Sequence, residues 1–146
     1  MTSNCVVNRV TDSDIGLSDQ DIDRLIDLVA SHQHVPVEHI EISLVDNAEM
    51  QRLNHQFRQL DKPTNVLSFP QETNPVFGDI IIAVPYATQE ALSLDRSLSQ
   101  HFSHLLVHGF LHLCGLDHVD EVAADEMETV EIHVLKQLGI PNPYED

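Results

Sequence analysis

The stretch from His104 to His118, HLLVHGFLHLCGLDH, constrains this chain more than any other. His108 and His112 stand four apart in an apolar run, so a helix projects both imidazoles from one face a single turn apart. Such a pair can share one metal ion. Gly115 follows where a helix is commonly ended by a left-handed residue, and the chain can then swing His118 back as a third ligand. Three neutral imidazoles are the ligand set of a catalytic zinc with a fourth position left for water. A structural zinc usually takes four protein ligands, often sulfur.

The spacing from His108 through His112 and Gly115 to His118 is similar to the metzincin protease pattern H-E-x-x-H-x-x-G-x-x-H, except that Gly109 stands where the protease carries its glutamate base. The ligand geometry of a peptidase is therefore expected without the group that activates its water. Cys114, between two proposed ligands, is expected to be a buried free thiol at a helix end rather than a ligand.

At 146 residues, 42% of them hydrophobic, the chain is expected to form a single domain spanning 1–146 with a substantial core. No leader or membrane-spanning segment is read: residues 1–8 lack a basic region followed by an apolar run, and the apolar stretch 105–116 is too short to span a bilayer. Two cysteines, Cys5 and Cys114, are too few for a disulfide scaffold, so a reducing, cytoplasmic location is expected. A net charge of −17 argues against general affinity for polyanions, and any contact with nucleic acid must use a local basic patch. Three of the seven Lys and Arg residues, Arg52, Arg58 and Lys62, fall within eleven positions.

Strand and helix patterns alternate along the chain. Strands are expected at Cys5–Val10, Glu38–Val45, Val66–Phe69 and Gly78–Val84, the last too apolar to be exposed. Ser18, with Asp21 three residues on, caps a helix running to about Ser31, and Asp46 or Asn47 caps one from Ala48 to about Arg58 whose Met50, Leu53 and Phe57 face the core. Pro63 makes the start of DKPTNVLSFP a loop, and a second loop contains Pro75. Further helices are expected at Pro85 to about Leu94, about Leu98 to Leu113, and about Asp120 to Leu138, where Gly139 stops the helix.

HGFLHLCGLDH, DKPTNVLSFP with the preceding Arg58, and GDIII together resemble the YbeY family of bacterial ribosomal-RNA maturation endoribonucleases, from about Asp46 to the PNPYED terminus. The resemblance implies an α+β fold, a small mixed and mostly parallel four-stranded sheet packed with about five helices, with a metzincin-like metal helix. It implies one zinc ion on His108, His112 and His118, and Arg58 in the place of the family's catalytic arginine. The implied activity is metal-dependent cleavage of single-stranded RNA in maturation of the small-subunit (16S) ribosomal RNA 3′ end and in ribosome quality control. Ribosomal RNA and the ribosome or its proteins are the implied partners, with no membrane and no DNA.

The chemistry supports that reading. Zinc on three imidazoles lowers the pKa of its water toward neutrality, which offsets the missing glutamate. Arg58 can give two hydrogen bonds to phosphoryl oxygens, a task lysine fills less well, although a helix-end cation bonding terminal carbonyls is the alternative. Asp117 either orients an imidazole or caps the turn, and Asp79 is a candidate site carboxylate or a solvated strand-end residue. Asn65 and Ser68 are candidates for phosphate or sugar contact, with turn hydrogen bonding an equal account of Asn65. His104 is expected beside the site rather than as a ligand. Two other functions fit the motif: a metallopeptidase, and a non-catalytic ribosome-assembly factor whose zinc is structural.

Overall fold

The computed structural model describes residues 4–9, 14–117 and 119–145. Strand β1 (Cys5–Arg9) leads to α1 (Asp19–Gln33), β2 (Val37–Val45) and α2 (Asn47–Arg58). A hairpin of β3 (Val66–Thr73) and β4 (Val76–Ala83) follows, then α3 (Val84–Ser93), α4 (Leu98–Leu113) and α5 (Glu121–Gln137). The sheet order is β1-β2-β4-β3, with the first three strands parallel and β3 antiparallel at the edge. This is the expected α+β architecture of a mixed, mostly parallel four-stranded sheet with five helices. Val10, expected to end the first strand, lies outside the described residues.

The helix starts follow from their caps. Ser18 and Asp21 form a reciprocal capping box, and the side chains of Asp46, Ser97 and Asp120 accept from the first-turn amides of α2, α4 and α5. The β3–β4 hairpin is longer than its sequence pattern suggests. Residues 70–73, expected as loop, continue β3 because their backbone pairs with β4 around a register shift between Pro70 and Glu72.

Alternation along the strands separates two faces. Ile40, Ile42 and Leu44 of β2 and Ile80 and Ile82 of β4 face α1, α4 and α5 in the main core, where Phe102, Leu106 and Phe110 are fully buried. The opposite face carries a smaller cluster of Val45, Met50, Leu67 and Ala83 under α2. Phe57 does not join it as expected but stays 57% exposed at the end of α2, its ring packed 5.2 Å from that of Phe69. No helix among the described residues is long and apolar enough to cross a membrane.

Two glycines let α4 lie close on the sheet. A Cβ at Gly109 would sit 3.0 Å from Ile80 Cγ2, and one at Gly78 would sit 2.9 Å from Leu113 Cδ2 and 2.6 Å from the Phe69 carbonyl. Only hydrogen fits at Gly78, and a methyl at Gly109 would push its neighbours back, so the helix that carries the histidines is set directly over β3 and β4.

Candidate active site

A cleft of about 710 Å3 opens between the C-terminal half of α4 and the edge strand β3. Arg58, Asn65, Ser68, His108, His112 and Asp117 all line it. Residues far apart in sequence thus meet around one space.

Arg58 is brought there by the end of α2. Gln59 adopts a left-handed conformation (φ 60°), and its amide closes onto the Asn54 and His55 carbonyls. Asn54, 1% exposed, donates its side-chain amide to the Lys62 carbonyl at 2.9 Å, and Gln51 donates to Asp61 at 3.0 Å. The loop after Arg58 is tied back on α2, so β3 begins beside the guanidinium. Of the other local cations, Arg52 is engaged by Glu49 through two contacts of 2.7 and 2.8 Å, whereas Arg58 lines the cleft.

His108 and His112 approach edge-on with ring centroids 4.6 Å apart and Nε2 atoms 3.1 Å apart. His108 donates Nδ1–H to Glu131 Oε2 at 2.8 Å, so its lone pair is on Nε2, the nitrogen that faces His112. Two imidazole nitrogens this close need a hydrogen or a metal cation between them: a neutral N–H···N bond or a shared ion. Zinc–imidazole bonds of about 2.0–2.1 Å fit such a pair. Among the described residues no group of three His, Cys, Asp or Glu side chains completes a ligand set. His118, the expected third ligand, lies outside the described residues. Gly115, which ends α4, has φ 98°, the conformation expected for the bend.

Other residues singled out in the sequence divide between the site and its supports. Asp117 lines the cleft beside Gly115 and Leu116. Asn65 donates to Glu90 at 3.1 Å and accepts from the Val66 amide at 2.7 Å, so both ends of its amide hold the loop rather than face a ligand. Ser68 gives its hydroxyl to the Gly109 carbonyl at 3.1 Å. Asp79 shares its strand face with Ile81, away from α4, and is not a wall of the cleft. Burial and the neighbouring Glu41 raise its pKa, partly offset by His39. Cys114 is a half-buried free thiol, pushed up to about 12 by burial.

Glu131 is the residue the sequence reading missed. It is fully buried, and a carboxylate there survives only by being saturated with donors. His104 Nε2 and Tyr144 OH reach Oε1 at 2.7 and 2.5 Å, and His108 takes Oε2. Burial alone would raise its pKa, but the hydrogen bonds from His104, His108 and Tyr144 outweigh burial and hold the carboxyl at about 2. The signal was available in the sequence: Met127, Glu131, Val134 and Leu135 share the buried stripe of α5, so one acid stands on an apolar face. His104 lies beside the site, as expected.

Imidazoles and a guanidinium around one polar space are the groups a hydrolytic enzyme uses, and the family match gives that class. A family model described as Endoribonuclease YbeY matches residues 8–139, and the chain belongs to the YbeY family. Its relatives include the Endoribonuclease YbeY of Francisella philomiragia, 38% identical with 94% of both chains covered. That of Alteromonas mediterranea is 44% identical over 80% of this chain and 77% of its own. Among solved structures, the solution structure of TM1509 from Thermotoga maritima superposes with a TM-score of 0.64 at 21% identity, covering 97% of this chain and 99% of the other, a likeness of fold.

Proposed function

We propose that this chain is a cytoplasmic, zinc-dependent endoribonuclease that cleaves single-stranded RNA, acting in maturation of the small-subunit ribosomal RNA 3′ end and in ribosome quality control. The observation that carries it is the meeting of Arg58 with His108 and His112 around one cleft, walled by residues 64–70. The whole of residues 1–146 serves as one catalytic domain, with ribosomal RNA as substrate and the ribosome as partner.

His108 and His112 would hold the ion with His118, and a bound zinc supplies Lewis acidity and an activated water at neutral pH. Arg58 binds the scissile phosphate, its planar fork pairing with phosphoryl oxygens whose negative charge grows as water adds to phosphorus and the ester P–O bond breaks. The exposed ring of Phe57 packs on Phe69, which lines the cleft, and offers an unstacked base a face at the cleft's edge. Stacking plus one or two cations suits a single strand on a chain of charge −17, because it does not require a broad basic surface.

Position 109 weakens the peptidase alternative further, since a side chain there would run into Ile80 and Ser68. Metal analysis of the purified protein, coupled to cleavage of a single-stranded fragment of the small-subunit rRNA 3′ end, tests the proposal. Cleavage that is abolished by chelator, restored by zinc and absent on duplex RNA is the expected result. RNA left intact by the zinc-loaded protein overturns it.

A further inference from the structure

We propose that Glu131 is a positioning residue that fixes His108 in its Nδ1–H tautomer, and that Tyr144 of the C-terminal segment holds Glu131 for that task. The proposal rests on reading His108 and His112 as ligands of one metal ion.

The two carboxylate oxygens have different duties. Oε1 is clamped from two sides, by the Tyr144 hydroxyl and by His104 Nε2, whose rings meet edge to face at 5.5 Å. With that oxygen fixed, Oε2 is aimed along the Nδ1–H of His108. An imidazole that donates from Nδ1 has its lone pair on Nε2, and in His108 that nitrogen faces His112. A carboxylate behind a liganding imidazole also makes the ring a better electron donor.

The clamp depends on the chain after α5 turning back. Gly139, with φ 79°, redirects it, and the Ile140 amide bonds the Leu135 carbonyl at 2.9 Å. Arg96 donates to the Pro143 carbonyl, and the Tyr144 amide donates to Asn142 Oδ1 at 2.8 Å. These contacts deliver the Tyr144 hydroxyl to Oε1. A carboxylate kept merely for packing would be poorly placed, because an apolar side chain fills a buried stripe at lower cost.

The test compares wild type, Glu131→Gln, Tyr144→Phe and His112→Ala, each stripped of metal and titrated with zinc against a chromophoric chelator. Long-range 15N–1H spectra of the imidazoles are recorded on the metal-free proteins. Glu131→Gln is expected to weaken zinc by about 10- to 100-fold and to move His108 toward the Nε2–H tautomer. Tyr144→Phe is expected to lose severalfold in affinity with a partial tautomer change. Wild-type affinity together with an unchanged His108 tautomer in folded Glu131→Gln overturns the proposal, and if that variant does not fold, the same result in Tyr144→Phe does so. Undiminished zinc affinity in His112→Ala would instead sink the ligand reading beneath it, so the two failures are separable.

Discussion

Ser68 on the edge strand donates its hydroxyl to the carbonyl of Gly109 on the histidine helix, 3.1 Å away. Gly109 occupies the sequence position at which a protease with the same histidine spacing carries its general base. The contact closes the gap between helix and sheet, and a side chain at 109 has nowhere to go: its Cβ would already lie 3.2 Å from Ser68 Oγ and 3.0 Å from Ile80. Gly109→Glu is therefore expected to create no peptidase and to destabilise the fold by about 3 kcal/mol or more, since it overpacks the interface and buries an unpaired charge. Denaturant unfolding followed by circular dichroism reads this, and a variant of native stability contradicts it.

Arg58 ends α2 at an exposed position, so removing its side chain should change stability by no more than about 0.5 kcal/mol. Its loss is expected to show in the reaction instead. Arg58→Ala should keep zinc and lower RNA cleavage by about 100-fold or more, with Arg58→Lys recovering little because an ammonium cannot make the paired contact. Single-turnover assays on zinc-replete protein measure it.

Among the described residues, twenty-four buried ones form one continuous apolar cluster that needs no ion to hold it together. Chelation is accordingly expected to abolish cleavage while leaving the cooperative melt in place, and His112→Ala to lose both zinc and activity. Collapse of the melt on chelation would support a structural zinc and a non-catalytic role.

Phe57 is exposed, so its role can be tested without disturbing the core. Phe57→Ala is expected to raise KM for single-stranded RNA about fivefold or more with kcat nearly held, the effect of losing one base stack worth about 1–3 kcal/mol. An unchanged KM removes it from the binding surface.

Glu131 also marks the acid limit of the metal-free fold. Its pKa, about 2 in the native protein against an ordinary 4.5, means that the unfolded chain takes up the proton first. The stabilisation is fully present above about 4.5 and is lost as the pH falls from there to about 2. Urea midpoints of Glu131→Gln across that window should fall less steeply than those of wild type.

Much of this was legible from one dimension. The capping residues Ser18 and Asp46, the apolar periodicity of α4 and the glycine at 115 are local signals, each with a local physical cause, so the elements and the His108–His112 pair fell where they were expected. The extension of β3 was not legible, because residues 70–73 are strand only by virtue of β4 beside them. Phe57 reads as core by helical spacing, yet the sheet ends before reaching it.

The sequence by itself determined that two imidazoles share one helix face, because a four-residue spacing on a helix admits no other arrangement. Only the tertiary structure decided what stands around them. Arg58, Ser68, Glu131 and Tyr144 come from four different parts of the chain, and their convergence on α4 is set by close packing over two glycines and by a tail that folds back. Such contacts join residues tens of positions apart, and no periodicity along the chain encodes them.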